Sequence, residues 1–356
     1  MLILEFVIAF GLLVFFHELG HFLVSRWFGI EVEEFGFGYP PRLAKLFTWK
    51  GTEITLNWIP FGGFVRPKGE NDPDIPNGLG AASPWKRIGV ALAGPIMNLI
   101  IGVIIFTIVY MKLGLPQTSI VKIVGVNQNS PAEIAGIMPE DIILRVNETP
   151  IDSMSVLADV VKENIGEEVL IEYQRNGQRF ETTAVPRANP PEGEGALGIV
   201  MGNPIVSMNL FQAVPYAFQA VYEQGRHLVL LPGRLIQGEI RPEEARFVGP
   251  VGIYNMYEQA READVEVSAD PQPQQIPAIN TLALMGVVTV ALGLTNLLPI
   301  LPLDGGRILF ALPEIIFKKR VPVRLENFLN AVSFFILIFL MIYITTQDII
   351  NPIVVP

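Results

Sequence analysis

Two stretches of this chain, 88–110 and 276–300, hold no charged side chain, and each is long enough to cross the hydrocarbon core of a bilayer as a helix. Two more, 1–28 and 328–346, are nearly as apolar. Lipid offers backbone groups no hydrogen-bond partner, so runs of this length read as helices that satisfy their own backbone. The expected fold class is a polytopic α-helical membrane protein with four transmembrane helices. A composition of 50% hydrophobic and 17% charged residues excludes disorder, collagen and coiled coil. The first run is not expected to be a cleavable signal peptide: Glu5 stands where a basic n-region would begin, and no small-residue cleavage site follows.

Charge sets an expected orientation. Arg26, Arg42, Lys45, Lys50, Arg66, Lys68, Lys86 and Arg87 cluster between the first two spans. Arg307, Lys318, Lys319, Arg320 and Arg324 cluster between the last two. Short basic loops stay inside, whereas long domains translocate whatever their charge. Both loops are therefore expected in the cytoplasm, and the acidic region between the second and third spans outside it. The anticipated surroundings are membrane lipid. A net charge of −10 gives no reason to expect nucleic acid. With no Cys, disulfide frameworks, thiol nucleophiles and thiolate metal sites are ruled out.

Residues 116–202 read as a compact extracytoplasmic α+β module. Ser130-Pro131 opens a short helix with Ser as N-cap and Pro at its first position. Asn176-Gly177 joins two alternating runs as a hairpin. Residues 203–263 read as an amphipathic helical region, and 264–275, from its Pro and Gln, as a linker. The remaining parse is 1–28 for the first span, 29–87 for a membrane-associated β-hairpin region, 88–111 for the second span, 276–304 for the third, 305–327 for a basic cytoplasmic loop and 328–346 for the fourth.

The first span carries His17-Glu18-Leu19-Gly20-His21. On a helix, positions i and i+4 share a face, so two imidazoles reach one metal ion, with Zn2+ the best match. Glu18 follows the first His, where a carboxylate takes a proton from water at the metal. Polar groups inside an apolar span are costly and functional by default. Arg26 marks the inner boundary, and His17 lies nine residues before it, roughly 13 Å deeper along a helix. The site needs a third ligand. His227 falls in the outer region, on the wrong side. Asp304 follows Pro299 and Pro302, which break the third span. Its alternative role is N-cap of the next helix, but the need for a third ligand favours ligation.

Together, the His17–His21 motif and Asn296…Pro299…Leu303-Asp304-Gly305 resemble the site-2 protease family of intramembrane zinc metalloproteases, RseP type. Phe35-Gly36-Phe37-Gly38 and Pro60-Phe61-Gly62-Gly63-Phe64-Val65 resemble that family's membrane-associated β-hairpin. Ala93-Gly94-Pro95-Ile96-Met97-Asn98 resembles its second-span motif, and Gly249-Pro250-Val251-Gly252-Ile253 the segment ahead of its third span. One departure is visible: 116–202 leaves room for one PDZ-like domain, where the best-known members carry two.

The resemblance implies a zinc endopeptidase acting on transmembrane protein substrates, such as anti-sigma factors or remnant signal peptides, with His17, His21 and Asp304 on zinc and Glu18 as catalytic base. It makes Asn296, Asn98, Gly62, Gly63 and Phe64 substrate-binding. An extended substrate would add to an edge of the hairpin. The plainer readings are helix–helix hydrogen bonds for the two Asn, tight turns for Gly36, Gly38, Gly62 and Gly63, and a kink at Gly94-Pro95. The PDZ-like domain is expected to exclude bulky ectodomains, with a peptide C-terminus as its second candidate ligand. The rival function is a non-hydrolytic metal-binding scaffold or metal transporter, which needs no Glu directly after the first ligand.

Overall fold

The computed structural model describes residues 1–70, 72–239, 246–269 and 278–352, excluding the side chains of 61 and 267–269. It divides into two compact units, one made of 1–112 with 209–356 and the other of 113–208.

The first unit opens with α1 (Leu2–Trp27), followed by β1 (Val32–Trp49), β2 (Thr52–Pro67) and α2 (Pro84–Leu113). Strands β1 and β2 form an antiparallel hairpin closed at Trp49–Thr52. Its two-residue turn is Lys50-Gly51, both with positive φ, which matches the twist of the strands. Phe35 pairs with both Val65 and Ile54, so the chain also turns back between 37 and 42 and between 57 and 63, and Gly38 and Gly62 fall at those reversals. Gly36 and Gly63 lie inside the strands, with Gly36 opposite Phe64 and Phe37 opposite Gly63. Gly38 and Gly62 both have φ of 81°, the positive φ that glycine supplies at a reversal. At Gly62 the strand also presses on α1, where an added Cβ would lie 2.4 Å from the Val14 side chain.

The second unit carries β3 (Leu115–Pro116), β4 (Val121–Val126), α3 (Pro131–Ile134), β5 (Ile142–Val146), β6 (Thr149–Pro150), α4 (Met154–Glu163), β7 (Val169–Arg175), β8 (Gln178–Ala184), β9 (Ile199–Gly202) and β10 (Ile205–Val206). Its main sheet runs β8-β7-β5-β4-β9, with β6 beside β5. The alternating residues Val121, Ile123, Val169 and Ile171 turn inward and meet Leu157, Val160 and Val161 of α4. Ser130 accepts from the Glu133 backbone N–H, so the predicted cap forms. The buried carboxylate of Asp141 takes a bidentate pair from Arg175 at 2.7 Å. This unit is an α+β module, as expected for 116–202.

The chain returns to the first unit as α5 (Leu210–Ile236), α6 (Pro250–Ala269), α7 (Ile279–Asn296), α8 (Asp304–Phe317) and α9 (Val323–Ile350). Helices α1, α2, α7 and α9 are each long and apolar enough to cross a membrane. Helix α9 exposes Phe334, Phe335, Ile336, Phe339 and Ile342, an apolar face suited to the bilayer rather than to water. Amphipathic α5 packs Ala217 against Phe106 of α2 and Val290 of α7, and Gln224 donates to the Val287 carbonyl.

Three boundaries differ from the sequence reading. Helix α6 continues to Ala269, six residues into the expected linker, because every Pro and Gln of that stretch lies at 271 or beyond; its remainder, 270–275, falls outside the described residues. The third span closes at Asn296, since Pro299 and Pro302 cannot supply the N–H groups a helix needs. The expected basic loop begins instead as helix α8, whose apolar residues at helical spacing outweigh the two glycines at its start.

Candidate metal centre

Helix α1 brings His17 and His21 one turn apart on a single face, and the first turn of α8 brings Asp304 to meet them. His17 Nε2 and His21 Nε2 are 3.1 Å apart. Asp304 Oδ2 lies 3.0 Å from the first and 3.4 Å from the second. All three side chains are buried. Ligand atoms 2.0–2.2 Å from a tetrahedral zinc stand roughly 3.3–3.6 Å apart, so the cluster is close to the edge length such an ion requires. Asp304 is not the helix cap: Leu303 occupies the N-cap position, and the Asp304 carboxylate faces the imidazoles.

Helix α2 builds the far side of this cluster with Val90, Gly94 and Asn98, spaced i, i+4, i+8 on one face. His21 Nδ1 donates to the Val90 carbonyl at 2.7 Å. A carbonyl only accepts, so Nδ1 carries the proton and His21 Nε2 presents its lone pair to the cluster. The Asn98 side-chain amide lies 3.2 Å from His17 Nδ1, while its Oδ1 is buried without a partner. Committing His17 Nε2 to a metal puts the proton on Nδ1, and a rotated Asn98 amide then accepts it through Oδ1. The orphaned acceptor thus fits a metal-loaded site. Between the two, Gly94 leaves the space free: an added Cβ would stand 2.3 Å from His21 Nε2 and 2.7 Å from His17 Nε2.

A cavity of about 230 Å³ opens beside the cluster. Glu18, Phe64, Asn296, Glu70 and Arg307 are in its wall. Of the residues the sequence nominated, His17, His21 and Asp304 converge, and Glu18, Phe64 and Asn296 border the cavity. Asn98 is buried behind His17. Gly62 and Gly63 belong to the strand rather than to the cavity wall. His227 sits on α5 beside Arg226 and Arg234, around a separate pocket. Sequence reasoning missed Val90, Gly94 as a spacer, Glu70 and Arg307. The signals were present: a four-residue period leading back from Asn98, and a cation one helical turn past Asp304.

The arrangement offers two neutral nitrogen donors, one carboxylate oxygen and an adjacent carboxylate in a half-enclosed cavity, which suits metal-assisted hydrolysis. Comparison with known proteins points the same way. The model of peptidase family M50 matches residues 5–340. A relative from Clostridium perfringens is 32% identical over 99% of this chain and 100% of its own length. Another from Clostridium acetobutylicum is 30% identical over 98% of this chain and 97% of its own. Both are provisionally named zinc metalloproteases. The zinc metalloprotease RasP of Shouchella clausii is 27% identical over 98% of each chain.

Proposed function

The chain belongs to peptidase family M50 and is an intramembrane zinc metalloprotease; we propose that His17 Nε2, His21 Nε2 and a carboxylate oxygen of Asp304 hold its zinc and that Glu18 is its general base. The convergence of those three groups within 4.8 Å of one another carries this reading. Zinc, when bound, supplies Lewis acidity and lets water lose a proton near neutral pH. Glu18 takes that proton as the oxygen attacks the scissile carbonyl carbon. The C–N bond then breaks, and its electron pair goes to nitrogen, which receives the proton back from Glu18. Val90 and Asn98 hold the two imidazoles in the rotation and tautomer that direct Nε2 inward. Asn98 is accordingly a positioning residue for His17, and Asn296 and Phe64 position the substrate.

The substrates are polypeptides, and in this reading they are transmembrane segments, of anti-sigma factors or remnant signal peptides, locally unwound and added to the hairpin's edge. The basic stretches 29–87 and 305–327 face the cytoplasm, as their charge supports. The PDZ-like module is then extracytoplasmic, the side on which an uncut ectodomain lies, and acts chiefly as a filter, with capture of a peptide C-terminus second. A substrate with a trimmed ectodomain should be cut faster than its full-length form by the intact protein. Equal rates for the two, measured in one membrane preparation, would end the filter reading.

Asp304→Asn tests the ligand set. Asn keeps the shape but offers a neutral, weaker oxygen. Zinc affinity should fall on the order of 10–100-fold, by analogy with losses at supporting groups of metal sites, and cleavage with it. Competition against a chelator reads the affinity directly. Wild-type zinc affinity in this variant would leave the site one ligand short.

A further inference from the structure

Arg307 is the one Lys or Arg in the wall of the catalytic cavity among the described residues. It sits three residues after Asp304 on α8, so both side chains leave the same face of the helix. Its Nη2 lies 2.7 Å from Glu70 Oε1, in the segment that follows β2. One corner of the guanidinium is therefore tethered. The remaining N–H groups have no hydrogen-bond partner among the described residues, and the side chain, 47% exposed, forms part of the cavity wall. Asn296 in the same wall is a neutral donor, and one of the two N–H groups of its Nδ2 goes to the Leu292 carbonyl of its own helix at 3.0 Å.

Attack on a peptide carbonyl moves an electron pair onto its oxygen, and that charge is stabilised most by donors already in place in a site from which water has been displaced. Glu18 cannot serve, because it is taking up a proton at that moment. Asp304 carries the wrong sign. We propose that Arg307 is a catalytic residue that donates to the scissile carbonyl oxygen and stabilises the negative charge developing there, with Glu70 holding the guanidinium in position. A substrate segment in the cavity displaces the water that solvates Arg307 in its absence, which strengthens the interaction. When the C–N bond breaks and the carbonyl re-forms, the charge leaves that oxygen and Arg307 releases it. This assignment rests on the reading of the cavity as the catalytic one.

The ion pair has a purely structural explanation, in which Arg307 and Glu70 clamp the end of the hairpin region to α8. The two explanations diverge when each partner is removed alone. A clamp is lost equally with either partner, whereas a donor is lost only with Arg307. The experiment compares Arg307→Gln, Arg307→Lys and Glu70→Gln in the full chain, zinc-loaded and reconstituted in lipid, with a transmembrane peptide as substrate. For Arg307→Gln, kcat should fall about 10²–10³-fold, the loss typical of removing one such donor, with KM and zinc content near wild type. Arg307→Lys should recover part of that loss, because it keeps the charge but not the planar fork. Glu70→Gln should lose ~10-fold or less, since the donor survives and only its aim is relaxed. Equal losses for Arg307→Gln and Glu70→Gln would overturn the proposal in favour of the clamp, and so would a near-wild-type kcat for Arg307→Gln. Should Arg307→Gln not fold, Arg307→Lys against Glu70→Gln makes the same comparison, and a larger loss for Glu70→Gln overturns the proposal. Activity that survives Glu18→Gln in this assay would overturn the catalytic reading itself, a failure distinct from the other two.

Discussion

Glu18→Gln should reduce peptide-bond cleavage by on the order of 10²–10⁴-fold, the usual contribution of a positioned general base, while zinc content stays at the wild-type level. Glu18 is outside the three-residue cluster formed by His17, His21 and Asp304, yet it borders the same cavity. Gln matches Glu in size and differs in having no carboxylate to accept a proton, so the cavity keeps its shape. Every interaction that holds the metal remains, because none of the hydrogen bonds among His17, His21, Asp304, Val90 and Asn98 involves Glu18. The pairing of lost turnover with retained zinc therefore separates a residue of the chemistry from a metal ligand, and at Glu18 the group removed is the one able to accept a proton. Elemental analysis of the purified variant reads the zinc, and cleavage of a transmembrane peptide in detergent or lipid reads the turnover. Zinc lost along with activity would make Glu18 a ligand or a folding residue. Full activity would require a different base, and among the described residues of the wall the only other unligated carboxylate is Glu70, which is paired with Arg307.

What the sequence made legible follows from how local each signal is. A metal motif confined to five residues on one helix needs no tertiary information, so His17, Glu18 and His21 could be read directly. The module's cap at Ser130 and its hairpin at Asn176-Gly177 are equally local, and both form. Asp304 lies 287 residues from His17, and it was found only because a two-His site is chemically incomplete. The losses came where side chains report on a partner helix. Asn98 has the same chemistry whether it faces a substrate or an imidazole, and only the packing of α2 against α1 decides it. Of the hairpin glycines, Gly38 and Gly62 have positive φ at reversals of the chain, while Gly36 and Gly63 are paired within strands, a difference that composition does not carry. Prolines misled at the linker, where α6 runs up to the first of them, and at the third span, where two of them end α7 before Asp304.

Gly94→Ala should abolish zinc binding in a protein that still folds. On helix propensity alone this substitution in the interior of α2 favours the folded state, since Ala is better than Gly by about 1 kcal/mol. The site reverses that expectation for the metal. The added methyl carbon would lie 2.3 Å from His21 Nε2 and 2.7 Å from His17 Nε2, where no carbon atom fits. Zinc bonds nitrogen at roughly 2.0–2.1 Å, so the methyl intrudes on the very volume the ion must occupy. Relief requires both imidazoles to swing away, and their anchors resist: His21 is held through Nδ1 by the Val90 carbonyl and His17 by Asn98. Zinc stoichiometry should therefore drop from one per chain towards zero, while helix content stays near wild type and the zinc-free protein loses only the part of the ~1–3 kcal/mol overpacking cost that the helix-propensity gain does not offset. Asn98→Ala supplies the graded comparison. It removes the partner of His17 Nδ1 without adding bulk, so zinc affinity should fall about 10–100-fold and remain measurable. The order wild type, Asn98→Ala, Gly94→Ala in a chelator competition follows from geometry alone, because one change loosens a ligand and the other fills the metal's place. If Gly94→Ala takes up zinc with wild-type affinity, the ion does not sit between the two Nε2 atoms and α2, and the ligand set would have to be rebuilt around another opening.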